Sequence, residues 1–183
     1  MARRRFLKQQ AVIDSSCLRC LMFLDLAFPQ FRLPRALQLR YEAIHIPTFV
    51  WNEVARRGRK RPQLQKLVKD HSFFRRCSVL NPHDAQLLYD LRLNPDAPID
   101  RGEAEAIIQA RELAITNILI DERRGTRIAR AHSLNARGTV GLVKEFKQIG
   151  IISEARPLFE ECLRQKFWID DELLSETLKE LGE

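Results

Sequence analysis

The feature that most constrains the fold of this chain is the alternation of short β-favouring runs with longer helical segments. The runs cover residues 11–13, 43–47, 78–80 and 117–120, and segments rich in helix formers follow them. Such alternation is typical of βαβ units, whose parallel strands place ligand sites beyond their carboxyl ends. We therefore predict an α/β fold built on a parallel sheet.

The predicted helices fill most of the remaining chain and continue beyond the last predicted strand. They cover residues 17–28, 35–42, 48–54, 63–74, 82–92, 101–114, 125–134, 140–149, 153–165 and 170–181. A chain of 183 residues, 45% of them hydrophobic, is long enough for one domain with a sizeable core but short for two. We predict a single domain over residues 1–183, in which residues 153–183 form a helical C-terminal extension.

The charge balance and the lengths of the apolar runs narrow the class of protein. A formal net charge of +7 favours an anionic partner, such as nucleic acid, a membrane surface or an acidic protein. No stretch approaches the roughly 18 to 20 apolar residues of a membrane span, and no secretion signal is recognisable. We expect a cytosolic protein that does not enter membranes and whose four cysteines are reduced thiols.

Acidic residues follow two of the predicted strands and lie early in two of the predicted helices. Asp14 and Asp121 stand at strand ends, whereas Glu53 and Glu103 belong to helices. Because a parallel sheet brings its strand ends and the following helix starts to one edge, these four carboxylates are expected to converge. Carboxylate clusters suit Mg²⁺ or Mn²⁺, and the four scattered histidines lack the spacing of a zinc site.

Each acid also has a purely structural explanation. Either strand-end aspartate would serve as an N-cap of the helix that follows it. Asp100 and Glu103 have the spacing of a capping box, and Glu53 has a cation, Arg57, four residues further on. Taken one at a time, these explanations are favoured; taken together, they require several coincidences.

Two glutamates compete for the position at the start of the helix predicted over residues 101–114. Glu103 shares its side of the helix with apolar residues, whereas Glu105 shares its side with Gln109 and Glu112. Glu103 is therefore the better candidate ligand, and Glu105 is expected to face solvent. An irregular first turn would be needed to bring Glu105 into the site.

At this point the sequence resembles the PIN-domain nucleases, and in particular the prokaryotic branch related to VapC toxins. The resemblance runs over most of the chain and rests on the order of segments 12–16, 46–54, 100–107, 118–124 and 138–152. It implies a three-layer α/β/α fold with a central parallel sheet of four to five strands. It also implies a metal-dependent endoribonuclease that acts as the toxin of a toxin–antitoxin pair. Such a protein would bind a small antitoxin protein and self-associate as a dimer.

The resemblance assigns Mg²⁺ or Mn²⁺ to the four carboxylates of Asp14, Glu53, Glu103 and Asp121. The sequence departs from the family pattern at two places. The first is the third acid, which is Glu where many members have Asp. The second is that Ser15 or Ser16 occupies the place of a Thr or Ser that assists the first acid. We expect Ser16, or else Ser15, to orient a water molecule or a ligand carboxylate.

Several basic residues are candidates for gripping RNA through its phosphates. The principal ones are Arg57, in the basic stretch 56–61, and Arg123 with Arg124, directly after the fourth acidic motif. Arg127 and Arg130 are further candidates on the segment that follows. For the stretch 56–61, a solvated helix face is an equally good explanation. Arg123 and Arg124 are better placed, because they follow a predicted ligand closely.

Two other functions remain open from the sequence. Cys17 and Cys20 form a CxxC pattern after a strand, as in thioredoxin-like redox proteins, although the apolar face that continues from Cys17 favours a buried helix. The other alternative is a PIN-like module that binds nucleic acid or protein without cutting it. A metal titration combined with an RNA cleavage assay separates that module from a nuclease.

Overall fold

A five-stranded parallel sheet forms the centre of the molecule. The computed structural model describes residues 9–56, 61–90 and 99–183. The strands are β1 (Gln9–Ile13), β2 (Tyr41–Pro47), β3 (Phe74–Cys77), β4 (Asn117–Leu119) and β5 (Asn135–Arg137). Their order in the sheet is β3-β2-β1-β4-β5, and every neighbouring pair is parallel. The predicted α/β fold with a parallel sheet of four to five strands is confirmed.

Ten α-helices in the described part of the chain surround this sheet. They are α1 (Ser15–Ala27), α2 (Leu33–Arg40), α3 (Thr48–Arg56), α4 (Arg61–Asp70), α5 (Pro82–Tyr89), α6 (Arg101–Glu112), α7 (Arg123–Ala131), α8 (Thr139–Gln148), α9 (Arg156–Arg164) and α10 (Asp171–Leu181). A single 3-10 turn, Pro29–Phe31, separates the first two. None of the described helices is long and apolar enough to cross a membrane.

Two hydrophobic cores lie on opposite faces of the sheet, because successive strand residues point to opposite sides. Ile13 and Leu119 belong to the larger core with residues of α1, α2, α3, α8 and α9. Val12 and Ile118 belong to the smaller core, which α6 and α7 cover. Both faces of the central strands are therefore buried, as expected for a three-layer α/β/α arrangement.

The sheet order creates a crevice at the carboxyl ends of β1 and β4. The chain builds outward from β1 through β2 to β3, and then returns to add β4 and β5 on the other side of β1. Such a switch in strand order is where open parallel sheets bind ligands. The backbone N–H of Asp14 donates to the carbonyl of Leu119 at 3.0 Å, which joins the ends of the two strands at this crevice.

The two edge strands differ from the sequence-based expectation. The prediction of a strand over residues 78–80 is wrong, because the strand β3 lies at Phe74–Cys77 and begins at the residue where the sequence predicted a helix to end. Phe73 and Phe74 are both buried and stack with ring centroids 4.3 Å apart, whereas Leu80 is 80% exposed. Burial of the two aromatic rings therefore outweighs the apolar character of residues 78–80. The polar strand β5 was not predicted at all.

The C-terminal helices pack on the central domain. Leu158, Phe159 and Cys162 of α9 are buried in the larger core, and α9 contacts α1. Helix α10 contacts α8. The carboxylate of Glu183 accepts hydrogen bonds from the backbone N–H groups of Ala155 and Arg156, which ties the last residue to the start of α9.

Candidate metal centre and nucleic-acid cleft

Asp14 lies at the crevice as the residue that joins β1 to α1. Its Oδ1 accepts the backbone N–H of Cys17 at 2.8 Å, so it is the N-cap of α1. Its Oδ2 accepts the hydroxyl of Ser16 at 2.6 Å. The side chain is only 1% exposed. Asp14 therefore caps α1, as the structural explanation predicts. Its second oxygen lies at the end of β1 and is oriented by Ser16.

Asp121 follows β4 and is held by the start of α8 rather than by its own helix. Its Oδ1 accepts the backbone N–H of Thr139 at 2.5 Å, and its Oδ2 accepts the Thr139 hydroxyl at 2.8 Å. The N-cap of α7 is Glu122, so the structural explanation of Asp121 as a cap of the next helix is wrong. A methyl group on Gly138 would stand 2.7 Å from Asp121 Oδ1, so only glycine permits this close approach.

Glu103 combines the predicted capping box with one unused oxygen. Its Oε2 accepts the backbone N–H of Asp100 at 2.8 Å, while Asp100 Oδ1 accepts the backbone N–H of Glu103 at 2.8 Å. Its Oε1 is buried and has no hydrogen-bond partner among the described residues. A methyl group on Gly125 would overlap this same oxygen. Asp100 is thus a helix cap, and the free oxygen of Glu103 is wedged against the first turn of α7.

Glu53 approaches the start of α6 from α3. A methyl group on Gly102 would stand 3.5 Å from Glu53 Oε2, 3.2 Å from Asp100 Oδ1 and 3.6 Å from the Ser15 hydroxyl. Oxygen atoms from three elements therefore surround this glycine. Glu53 Oε2 is buried without a hydrogen-bond partner among the described residues. A buried carboxylate oxygen that lacks a donor is costly, and a bound cation would remove that cost.

The electrostatics of the crevice disfavour ionised carboxylates in the absence of a cation. Burial, followed by the charges of Asp121 and Glu103, raises the pKa of Asp14 well above its ordinary value. Burial raises the pKa of Glu103 to about 7. Burial also raises the pKa of Asp121, although the hydrogen bonds from Thr139 oppose that shift. These carboxylates are close enough to repel one another, which is how cation sites behave before the cation binds.

The four predicted ligands are gathered at one edge of the sheet but do not form a closed coordination shell. Across residues 9–56, 61–90 and 99–183, no three His, Cys, Asp or Glu side chains are close enough to hold an ion as they stand. The donor chemistry nevertheless fits a hard divalent cation, since all four candidates offer carboxylate oxygen. The unpartnered oxygens of Glu53 and Glu103 fit it as well.

Glu105 corrects one sequence-based expectation, because it does not face solvent. It is 6% exposed, its Oε2 accepts the backbone N–H of Phe49 at 3.1 Å, and its Oε1 lies 3.5 Å from Nε of Arg101. Helix α3 covers this side of α6, which a helical pattern in the sequence does not reveal. Further along the same side, Gln109 donates to the carbonyl of Cys77 at 2.9 Å. Glu105 therefore joins α6 to α3.

A basic cleft of about 630 Å³ opens beside Asp121. Its cations come from α7, β5 and α8 and are Arg123, Arg127, Arg130, Arg137 and Lys144. Arg123 pairs with Asp170 at 3.1 Å, whereas the charge of Arg124 acts on Glu103, where it partly opposes the rise in pKa that burial causes. Arg123 therefore lines the basic cleft, whereas Arg124 acts on the carboxylate of Glu103. Arg57 lies outside the described residues.

Sequence reasoning missed several residues of this cleft. Thr139 stands in the segment that carried the resemblance, but its contact with Asp121 depends on tertiary structure. Arg137 belongs to the unpredicted strand β5. Arg127 and Arg130, by contrast, were candidates from the sequence, and their spacing from Arg123 places all three on one side of α7.

The CxxC pair is buried in the larger core. Cys17 Sγ lies 3.5 Å from the Thr139 hydroxyl, and Cys20 Sγ lies 3.1 Å from Cys162 Sγ. Burial, followed by the charge of Asp121, raises the pKa of Cys17, and the contact with Cys162 together with burial raises that of Cys20. All four cysteines are free thiols. A raised pKa in an apolar core is the opposite of what a catalytic thiol requires.

Thiol accessibility provides a direct test of this assignment. In the native protein, a small maleimide is expected to modify only Cys77, which is the one cysteine that is not fully buried. Unfolding in denaturant is expected to expose all four thiols. Mass spectrometry of the labelled chain gives the number and positions of the modified residues. Rapid native labelling of Cys17 or Cys20 would favour the redox function instead.

Comparison with known proteins identifies the family. The family model described as "DUF3368: PIN domain" matches residues 10–183, which covers almost the whole chain. No curated protein and no solved structure gave a significant match. PIN domains are generally nucleases that use divalent metal ions. The carboxylates of Asp14 and Asp121 lie at the β1–β4 crevice, where the strand order switches and open parallel sheets bind ligands. The chain therefore belongs to the PIN-domain family DUF3368.

Proposed function

We propose that this protein is an endoribonuclease that depends on Mg²⁺ or Mn²⁺. The observation that carries the proposal is the approach of two carboxylates at the ends of two adjacent strands, where buried Asp14 lies close enough to Asp121 for burial and the charge of Asp121 to raise the pKa of Asp14. Asp14, Glu53, Glu103 and Asp121 would hold the metal, directly or through water. The unpartnered oxygens of Glu53 and Glu103 support this set.

The chain's own residues prepare the crevice for phosphodiester hydrolysis. When bound, a divalent ion supplies an activated water and neutralises charge on the phosphate and the leaving oxygen. Ser16 fixes the carboxylate of Asp14, and Thr139 fixes that of Asp121 through two hydrogen bonds. Orientation by such partners commonly changes metal affinity or activity by about 10- to 100-fold. No covalent nucleophile on the protein is needed.

A metal titration combined with a cleavage assay tests the proposed function. Full-length protein is incubated with a mixed-sequence RNA in EDTA, in Mg²⁺ and in Mn²⁺, with an Asp14→Asn variant prepared in parallel. Endonucleolytic products are expected only with metal and only with the unmodified site. Cleavage in EDTA, or equal cleavage by the variant, would contradict the proposal.

A non-catalytic binding module is the second candidate function. It is favoured by the absence, within the described ranges, of three metal-binding side chains already grouped around one point. Such a module would bind RNA with the same basic cleft but would release it intact under all metal conditions. The titration above separates the two functions, because only a nuclease shortens the RNA.

The side of α7 that lines the cleft is expected to contact RNA phosphates. Arg127→Ala should weaken RNA binding several-fold and lower the slope of log K against log salt by about 1, because one phosphate contact is lost. Arg35→Ala is a matched control, since Arg35 is exposed on α2 and lines a different surface pocket. Anisotropy titrations at several salt concentrations measure both effects. A flat salt dependence, or equal effects of the two variants, would argue against the phosphate contact.

We further propose that the protein is the toxin of a toxin–antitoxin pair in the VapC-like branch. The resemblance of the motif segments supports this assignment. The proposal includes a small antitoxin partner, a dimer, a cytosolic location and a single domain with residues 153–183 as its extension. Induced expression in a bacterial host should arrest growth, and Asp14→Asn should relieve the arrest. Growth arrest that persists in the variant would contradict a nuclease toxin. Light scattering of the purified protein tests the dimer.

A further inference from the structure

The cleft beside Asp121 has two chemically different walls. One wall is the cationic side of α7, where Arg123, Arg127 and Arg130 recur at intervals of four and three residues. Arg123 is paired with Asp170, but no described carboxylate pairs with Arg127 or Arg130. These two guanidinium groups therefore remain available for an anionic ligand.

The other wall is formed by the segment between α9 and α10, which carries an exposed aromatic residue. Trp168 is 63% exposed and lines the cleft. Its neighbours on both sides are anchored: the Phe167 ring lies 5.7 Å from that of Phe23, and Ile169 is buried in the larger core. Because both neighbours are fixed, the indole is held in the cleft wall and cannot turn inward without unpacking them.

Exposure of the Trp168 ring to water is unfavourable, and no contact within the fold compensates for it among the described residues. An aromatic side chain of this size can bury roughly 150 to 250 Å² of apolar surface when it is covered. The second tryptophan of the chain, Trp51, is 7% exposed and lies under the guanidinium of Arg76, 4.6 Å from the ring centroid. The chain therefore covers one tryptophan and leaves the other open beside a row of cations.

A ligand that fits both walls must combine negative charge with flat aromatic groups. The cleft contains five cations, with Asp121 and Asp170 as its only described acids. Single-stranded nucleic acid has this combination, because its phosphates are anionic and its unpaired bases are free to stack on aromatic side chains. An apolar peptide would leave Arg127 and Arg130 without partners.

We infer that Trp168 is a base-stacking platform for a single-stranded nucleic acid whose phosphates follow Arg130 and Arg127 towards Asp121. The inference rests on the proposed function, since it supplies a positioning residue for the substrate of that same site. Trp168 would hold one base at a set distance from the carboxylates and so fix which phosphodiester bond reaches them. Duplex RNA, whose bases are already stacked on one another, would not use this platform.

Binding without cleavage gives the cleanest test. Full-length protein in EDTA is titrated into a fluorescently labelled 12-nucleotide oligouridylate, and anisotropy gives the affinity. Trp168→Ala is expected to weaken binding by roughly 5- to 100-fold, the range typical of one lost base stack. Trp168→Phe should restore most of the affinity. Tyr89→Ala, which removes an exposed aromatic ring from α5 outside the cleft, should have no effect.

Intrinsic fluorescence gives a second readout that a merely structural role would not change. The chain has two tryptophans, and Trp51 is buried. Saturating oligouridylate should therefore quench the emission of the native protein but leave that of Trp168→Phe nearly unchanged. An oligomer with abasic sites should bind more weakly and should not quench.

Specific results would overturn the inference. Equal affinities of Trp168→Ala and Tyr89→Ala for oligouridylate would do so, as would abasic and normal oligomers that bind the native protein equally. Self-association that depends on Trp168, with oligonucleotide binding unchanged, would instead assign the indole to an interface between copies of the chain. Failure of the proposed nuclease function is separate: binding that depends on Trp168 without cleavage in Mg²⁺ or Mn²⁺ would support the platform and contradict the enzyme.

Discussion

Replacing Asp14 with Asn is expected to lower the rate of metal-dependent RNA cleavage by more than about 100-fold, without loss of stability. Loss of a residue that only orients a metal ligand commonly costs 10- to 100-fold, so loss of the ligand charge itself should cost more. Asn retains an oxygen that can accept the backbone N–H of Cys17, so the cap of α1 survives. It also removes one of the buried charges that repel Asp121. Initial cleavage rates at saturating Mn²⁺ and thermal unfolding measure the two effects.

The matched control for this prediction lies on the same helix. Asp25 accepts the backbone N–H of Leu33 at 3.0 Å and stands away from the crevice, so Asp25→Asn makes the same chemical change outside the proposed site. It should leave cleavage within about twofold of the native rate. Asp121→Asn should behave like Asp14→Asn. Cleavage retained by both site variants would rule out the proposed ligand set.

The second large effect is a loss of stability of the metal-free protein as pH rises. Burial raises the pKa of Glu103 from an ordinary 4.5 to about 7, so the folded state holds its proton over a range in which the unfolded chain has released it. The free energy of unfolding should therefore fall between about pH 4.5 and pH 7 and level off above. One pKa unit corresponds to about 1.4 kcal/mol, so the ionisation of Glu103 alone should lower the free energy of unfolding by on the order of 3 kcal/mol over this pH range. Burial of Asp14 and Asp121 acts in the same direction.

Divalent cations should reverse this loss, because they bind the ionised carboxylates of the folded state. The rise in Tm on adding Mn²⁺ should be small near pH 5 and largest near pH 8. Glu103→Gln should flatten the pH dependence in EDTA, whereas Glu160→Gln, on the exposed side of α9, should not. Denaturant titrations from pH 4.5 to pH 8.5, with EDTA or Mn²⁺, provide the measurement. Stability that rises over this range in EDTA would contradict the assigned environment of Glu103.

The centre of the fold and the positions of the acids could be predicted from the sequence because both depend on local patterns. Residues 11–13 form an uninterrupted apolar run, as expected for a strand that is buried on both faces, and an acid follows it directly. The same pattern recurs before Asp121. The capping box of Asp100 and Glu103 is likewise set by residues three positions apart. Parallel pairing then brings such strand ends together.

The parts that could not be predicted depend on contacts between distant segments. Strand β5 is short and polar, and it exists because it pairs with β4 at the edge of the sheet. Glu105 is buried because α3 covers it, although its helical spacing is that of a surface residue. The contact between Asp121 and Thr139 joins one strand end to a later helix. No periodicity within either segment contains that information.

The hydrogen bonds from Thr139 to Asp121 determine when the crevice can form during synthesis of the chain. Cys17, three positions after the first acid, contacts a threonine that lies 122 positions later in the chain. A nascent chain that has already formed β1 and α1 therefore still lacks the residue that orients Asp121. Because chains emerge and fold from their N-termini, the crevice assembles only when α8 has been made. Prematurely terminated chains would thus carry the first carboxylate without the threonine that orients the second.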